Sequence, residues 1–456
     1  LAQRPSLTSE CQVRLLRGHF PSDLRLVQMR RLALIALATM AASAAWAALV
    51  LLATLSGWGR PTLAPRGDLP TFWKAAVEVL EKNSNGNVAF ALIREGEVYG
   101  EHFHSKGRPV DRNTLFQVAS LSKWITAWGV MTLVEAGRLD LDAPVSRYLT
   151  RWKLPPGEFD NEQVTLRRLL SHTAGLTDGL GYAGFGPGAT LQTLEQSLTH
   201  AADASPGAAG AVRVGAEPGK QWIYSGGGYT LIQLIIEEAS GEPFSTYMQR
   251  TVLQPLGMSR STFELTESDS KNVAEFFDTT GELATHFQFT AKAAASLYTS
   301  TADLTRFIQA HLPGPNGEAP GRGIMRPETL TEMRRPHAFM FGAEIWGLGV
   351  ILYAPSNAGD FISGHDGNNG PAINTAARFD PTSGDGIVVL ETGNALLASE
   401  LAADWVFWKT GNVDLLTVAK NLNGTLVTVA MGWLAILVAG ILAAWRFRRK
   451  APPTAV

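Results

Sequence analysis

The sequence predicts an α+β chain: an antiparallel sheet built from both chain ends and flanked by helices, a mainly helical insertion, and two transmembrane helices. Three observations carry that expectation. A strand pair is written early, at 88 to 103, and a cluster of β-rich runs returns only after residue 347. Between them the pattern is helical with long loops. Near each end lies a long stretch without a charged residue.

The early elements follow from their local patterns. Phe72, Val77, Val79 and Leu80 mark an amphipathic helix. VAFALIR at 88–94, the dipeptide EG and then EVYGEHF form a hairpin signal, two β-rich runs around a short turn. From Leu121 to Gly137 the apolar residues Trp124, Ile125, Trp128, Met131, Leu133 and Val134 recur with helical spacing. The stretch 150–340 reads as helices joined by long loops. LGVILY, DFISG, AINTAARF and GIVVLET then supply the late strands, and a closing helix runs from Ala395 to about Trp408.

Residues 32–55 and 421–445 are uncharged. At about 1.5 Å per residue the first would reach roughly 36 Å as a helix, enough for a hydrocarbon core of about 30 Å. Arg25, Arg30 and Arg31 precede the first stretch, and Arg446, Arg448, Arg449 and Lys450 follow the second. The positive-inside tendency then puts both termini in the cytoplasm and everything between the spans outside it, with a bacterial inner membrane as the expected location. A cleaved leader is the rival reading of the first span, and the length of its apolar run favours an uncleaved anchor. Gly57 to Pro70 carries several Gly and Pro residues and reads as a linker.

Composition excludes some functions. The chain has 39 basic and 41 acidic residues, a formal charge of −2, so no concentrated basic face points to nucleic acid. The single cysteine, Cys11, cannot form an internal disulfide and rules out a cysteine-based metal site. His102 and His104 alternate on one strand face without a completing carboxylate, so no metal site is expected there. The Gly-rich stretches 178–190 and 202–220 lack the strand context of a dinucleotide loop, and no cofactor is expected.

The chemistry centres on Ser120 and Lys123. A serine and a lysine three apart at a helix start share one face, so the ammonium reaches the hydroxyl. Such a pair is a nucleophile with its base, provided the lysine can be neutral. Taking a lysine from about 10.4 towards 7 costs roughly 4 to 5 kcal/mol. A helix dipole supplies at most about 2 kcal/mol of that. Burial and a partner group must supply the rest. By itself S-x-x-K is a common chance pattern.

Its context is specific. TLFQVASLSKWITAWGVMTLVEAGRLDLDAPVSRYL around Ser120 resembles the nucleophile region of the class C β-lactamase and serine esterase superfamily, which includes D,D-carboxypeptidases and D-aminopeptidases. LLSHTAGL (169–176) resembles an internal marker of that family. EPGKQWIYSGGGYTLIQLIIEEASGEPFSTYMQRTVLQPLGM (217–258) resembles its second catalytic block. SLYTSTADLTRF (296–307) is similar to a later helix entry, and GHDG (364–367) stands in the place of its third motif. The likeness runs in family order from about Asp68 to Trp408. It implies a β-lactamase/transpeptidase-like fold, with Ser120 as the acylated nucleophile, Lys123 as its proton acceptor and Tyr224 as the motif tyrosine that shuttles a proton. It also implies an oxyanion hole from the backbone N–H groups of Ser120 and Asn368, and substrate contacts from Ser225, Gly226, His365, Asp366 and Gly367. His172 invites a Ser-His-Asp reading, but no G-x-S-x-G elbow exists and the lysine already accounts for the base. A loop-structuring role for His172 is expected instead.

Two departures bear on substrate. The β-lactamase form of the second motif ends in asparagine, where this chain has Tyr224-Ser225-Gly226, so one directed amide contact is absent. The third motif there begins with lysine, where this chain has His365-Asp366-Gly367. Asp366, if it faces the site, would repel a substrate carboxylate by about 1 to 4 kcal/mol at 4 Å. Both changes point to esters, or to amides without a terminal carboxylate.

The expected organisation is a cytoplasmic segment (1–31), a span (32–55), a linker (56–67), a serine hydrolase domain (68–410), a second span (421–445) and a cytoplasmic tail (446–456). The expected partners are a small-molecule or peptide acyl substrate and the lipid bilayer through two helices. The alternatives are a D,D-carboxypeptidase or β-lactamase acting on cell-wall peptides or β-lactams, and a non-catalytic penicillin-binding-like receptor. A transporter is disfavoured, because the spans carry no charge within them.

Overall fold

The computed structural model describes residues 22–179, 181–370, 372–414, 417–418 and 422–449. Cys11 and Lys450 lie outside the described residues. The chain divides into two units, one from residues 1–54 with 421–456 and the other from 55–420.

In the first unit two helices, Ser22–Ser56 and Leu422–Arg449, contain apolar stretches of 30 and 26 residues, long enough to cross a membrane. The first runs beyond the expected 32–55 at both ends and the second beyond 445, because their uncharged centres continue in helical register into the flanking arginines. The helices meet through tryptophans: the indole of Trp46 donates to the carbonyl of Thr428, and that of Trp433 to the carbonyl of Ser43.

The second unit is organised on one antiparallel sheet. Strand β1 (Val88–Arg94) turns into β2 (Glu97–His104) through Glu95 and Gly96, both with positive φ, as a two-residue hairpin requires. Short strands β3 (Phe116–Gln117), β4 (Phe276–Phe277), β5 (Leu283–Ala284) and β6 (Tyr298–Thr299) form two small pairs, β3 with β6 and β4 with β5. The late strands are β7 (Ala338–Met340), β8 (Ala343–Trp346), β9 (Ile351–Pro355), β10 (Phe361–Asn369), β11 (Ile373–Phe379) and β12 (Gly386–Thr392). The sheet order is β2-β1-β12-β11-β10-β9-β8-β7, so the first two strands pair with the last through β1 and β12. That is the expected sheet from both chain ends.

Strand alternation separates two cores. Ala89, Ala91 and Ile93 of β1, with Val388 and Leu390 of β12, face a core shared with the helices Ser122–Glu135 and Gly226–Ser240. Val88, Phe90 and Leu92, with Ile387 and Val389, face the helices Leu69–Asn83 and Leu397–Thr410. A central strand covered on both faces must be apolar at successive positions, which explains the unbroken run VAFALI. The insertion, 105–337, supplies the helical layer above the first core.

Candidate active site

Ser120 sits in the single 3₁₀ turn Ala119–Leu121 that leads into the helix Ser122–Glu135, one step before the expected α-helical start. Ala119 takes φ of +47°, a left-handed conformation costly for a residue with a Cβ. The turn is held from three sides. The hydroxyl of Ser122 donates to the Ala119 carbonyl and accepts the N–H of Leu297. Thr375 of β11 donates its hydroxyl to the carbonyl of Val118. Gly367 of β10 lies so close to that carbonyl that a Cβ there would collide with it. The third motif ends in glycine for this reason, since the strand packs directly under the nucleophile turn.

Ser120 Oγ accepts two hydrogen bonds, one from Lys123 Nζ at 3.0 Å and one from the Tyr224 hydroxyl at 2.9 Å. Lys123 is buried and also donates to the carbonyl of Ala294 at 2.7 Å. Its Nζ lies 5.2 and 5.5 Å from the ring centroids of Tyr224 and Tyr229. Its amine is thus held between two aromatic rings, one backbone carbonyl and the nucleophile. The Ala294 carbonyl carries no side-chain signal and could not have been found from sequence.

Tyr224 is held by His172. The His172 carbonyl accepts the N–H of Ile223 at 2.8 Å and its Nδ1 accepts the N–H of Ser225 at 3.1 Å. That acceptor role places the ring proton on Nε2. Burial, reinforced by the nearby Lys123 charge, holds the imidazole well below its usual proton affinity, so His172 is neutral. It does not contact Ser120, and its expected structural role agrees with this placement.

A cavity of about 280 Å³ opens over Ser120. Lys123, Tyr224, Gly226 and Asn368 line it. Gly181, Tyr182 and Ser205, from the two Gly-rich loops that the sequence left without a role, also line it. Among the described residues lining the cavity, Lys123 is the one basic side chain. The Asn368 side chain donates to the carbonyl of Ala395 and pins the end of β10 to the start of the closing helix segment.

Four expected substrate contacts are not brought to the cavity. Ser225 is buried, its hydroxyl bonded to Asp178 and accepting the N–H of Gly228 as the N-cap of the helix Gly226–Ser240. His365 is buried, and its Nδ1 donates to the carbonyl of Asp366. Burial, then the charge of Lys123, lowers the His365 pKa to about 4. Gly367 serves the packing already described. Asp366 lies on the opposite face of β10, bound by the guanidinium of Arg378 at 2.7 and 3.1 Å and by the hydroxyl of Tyr353 at 2.7 Å. Side chains alternate along a strand, so a residue between His365 and Gly367 faces away from the nucleophile. The expected carboxylate repulsion by Asp366 therefore does not arise.

A serine bonded to a lysine one helical turn away and to a tyrosine from a second helix start, at the junction of a helical layer and an antiparallel sheet, defines the β-lactamase/transpeptidase-like class. The chain belongs to the Beta-lactamase family, whose model matches residues 74–407. Penicillin-binding protein 4* of Bacillus subtilis (strain 168) is 35% identical over 154 residues, covering 34% of this chain and 32% of that protein. Esterase EstB of Burkholderia gladioli is 33% identical over 193 residues, covering 39% and 47%. The aligned stretches thus span about a third to a half of these curated relatives. The octameric penicillin-binding protein homologue from Pyrococcus abyssi superposes with a TM-score of 0.60 at 27% identity, over 75% of this chain and 78% of that one. The D-amino acid amidase from Ochrobactrum anthropi SV3, at 22% identity and a TM-score of 0.57 over 72% and 97%, shares the fold.

Proposed function

We propose that the protein is a membrane-anchored serine hydrolase that works through an acyl-enzyme on Ser120. The observation that carries this reading is the pair of hydrogen bonds converging on Ser120 Oγ from Lys123 and Tyr224. Ser120 Oγ adds to the substrate carbonyl carbon while its proton passes to Lys123 in its neutral form. The N–H groups of Ser120 and Asn368 stabilise the oxyanion, a contribution of about 3 kcal/mol for one well-placed donor. Collapse of the tetrahedral intermediate breaks the bond to the leaving group, which takes a proton by way of Tyr224. Water, losing its proton along the same route, adds to the ester and releases the acid.

The substrates that fit are esters, or amides without a free carboxylate beside the scissile bond. Lys123 is the cavity's one basic side chain among the described residues and is committed to Ser120 and Ala294. Among the described residues no other basic group lines it to form an ion pair with a carboxylate. Gly226 also offers no amide to hold an acylamino group. Similarity to an esterase, a penicillin-binding protein and a D-amino acid amidase supports acyl transfer in general. The two apolar helices and their basic flanks support an anchored chain with the hydrolase domain outside the cytoplasm.

The deciding experiment exposes the purified full chain to a fluorophosphonate probe and locates the adduct by peptide mass spectrometry. Labelling at Ser120 that vanishes in Ser120→Ala is expected. A folded wild-type protein that takes no label there would overturn the reading. Short-chain esters, nitrocefin and D-alanyl-D-alanine peptides compared on the same preparation test the substrate class, and a preference for the peptides would reverse it.

A further inference from the structure

At the outer edge of the sheet, β7 and β8 are joined by the two residues Phe341 and Gly342, with φ of +51° and +83°. Two positive φ values in a two-residue hairpin are the pattern for which asparagine or aspartate before glycine is preferred. This chain has phenylalanine at the unfavourable position, and its side chain is fully exposed (103%). Phe339, two residues earlier, is also exposed (55%). A fully exposed ring in the turn, with a half-exposed one on the strand beside it, is poorly served by the domain's own packing, so the tip reads as a contact surface for something apolar.

Its place in the sheet says what that is. Trp346 pairs with Ile351, so β8 runs back along β9 and its start at Ala343 lies towards Pro355. Pro355 pairs with Phe361, Ser363 with Phe379, and Phe379 with Gly386, which defines one end of the sheet. The amide of Asn412, where the chain leaves the domain, donates to the carbonyl of Pro355. Lys409 pairs with Asp385 in the β11–β12 turn at that same end. The incoming chain is there as well: Gly57 abuts the side chains of Phe407 and Val413, and Arg60 pairs with Asp404 at 2.6 Å. Both connections to the apolar helices thus leave from the end of the sheet at which the Phe341 turn projects.

We propose that the β7–β8 tip, Phe341 with Phe339, docks into the interfacial layer of the lipid bilayer. The inference rests on the anchored reading given above. Aromatic side chains favour the headgroup boundary, where the ring is buried and the backbone stays wet. Glu344, exposed and paired across the hairpin with Phe339, confines insertion to the turn itself. The contact adds a third attachment to the two chain connections and so fixes the domain's tilt on the membrane.

The test uses the full chain with its single cysteine removed (Cys11→Ser). Phe341→Cys and, separately, Leu283→Cys are labelled with a nitrobenzoxadiazole dye and reconstituted into phosphatidylcholine/phosphatidylglycerol vesicles. Leu283 is an exposed control on β5, whose partner strand packs through Phe276 on Ile373 at the other end of the sheet. Flotation with the vesicles reports the anchored reading on its own. The expected result is a blue-shifted emission at position 341 that is lost when spin-labelled lipid is included, with position 283 unaffected. Floating protein whose two labels respond alike overturns the docking proposal. So does a blue shift at 341 that spin-labelled lipid does not quench, which would mark a protein partner. Protein that fails to float overturns the anchored reading instead.

Discussion

The imidazole of His172 lies against the phenol of Tyr224, ring centroids 4.4 Å apart, and its carbonyl and Nδ1 accept the backbone N–H groups on either side of that tyrosine. His172 itself takes φ of +58° to do so. A neutral ring bonded this way fixes where the Tyr224 hydroxyl sits over Ser120. Motif and marker, 52 residues apart in sequence, are thus one device.

His172→Ala is therefore expected to lower kcat on an ester substrate about 10- to 100-fold with little change in KM, since small displacements of a proton-transfer group cost rates of that order. His172→Asn, which keeps an acceptor near Nδ1, should recover part of the loss. Steady-state kinetics on variants matched for thermal midpoint checks this. Equal losses for the two variants would show that the ring's bulk matters and its hydrogen bond does not.

His365 gives a pH prediction. Its pKa is lowered to about 4, first by burial and then by Lys123, so the unfolded chain takes up the proton before the folded one. Acid therefore favours unfolding. The penalty is absent above about pH 6.5, grows as pH falls and reaches about 3 kcal/mol near pH 4. His365→Asn should reduce the stability lost between pH 7.5 and 4.5 by about 2 to 3 kcal/mol, read by urea denaturation at the two pH values. An unchanged loss would mean that His365 can charge in place.

Much of the architecture was legible because local and global signals agree. The EG dipeptide between two β-rich runs could only be a tight hairpin, and the Ser120–Lys123 spacing places both groups on one face in α or 3₁₀ geometry. The faces of β10 were not legible: Gly367 packs against Val118 and period two then turns Asp366 away, but that packing has no local signal. Ser225, just before a run of apolar helical positions, carries the mark of an N-cap. Other features have no local signature. β7 and β8 are three and four residues long with phenylalanine in the turn, and the partner of Lys123 is a backbone carbonyl 171 residues away. The roles of Gly181 and Ser205 depend on how two loops fold over the cavity, which composition does not encode.

Gly226 sets selectivity in the reading proposed here. It lines the cavity at the position where the related β-lactamases carry asparagine, and its φ is not in the left-handed region. Gly226→Asn is expected to raise kcat/KM for nitrocefin relative to p-nitrophenyl acetate by about 5-fold, the value of one added hydrogen bond of about 1 kcal/mol. The ratio of the two rates, measured on one preparation, removes differences in active fraction. A ratio that stays constant would assign the discrimination to Gly181, Tyr182 and Ser205.

Arg378 joins the floor of the site to the exit of the domain. Its guanidinium, fully buried, binds Asp366 on β10 and reaches Asp414 at 2.7 Å, while Tyr353 stacks beneath it at 3.7 Å. The three charges sum to −1, so the cluster has one carboxylate more than it has cations. Arg378→Met would leave two buried carboxylates facing each other, and a loss of about 3 to 5 kcal/mol is expected. Asp414→Asn acts differently. It removes the excess charge, keeps an acceptor for Arg378 and leaves the two-point Arg378–Asp366 pair intact, so a loss of about 1 kcal/mol or less is expected. Arg378→Lys should resemble the methionine variant more than the wild type, because one ammonium cannot replace a planar fork that holds both oxygens of Asp366. Urea denaturation of the three variants at pH 7.5 orders them. Asp414→Asn proving as damaging as Arg378→Met would mean that Asp414 anchors the exit segment chiefly through its bond to the N–H of Thr417, at 2.7 Å, rather than through the ion pair.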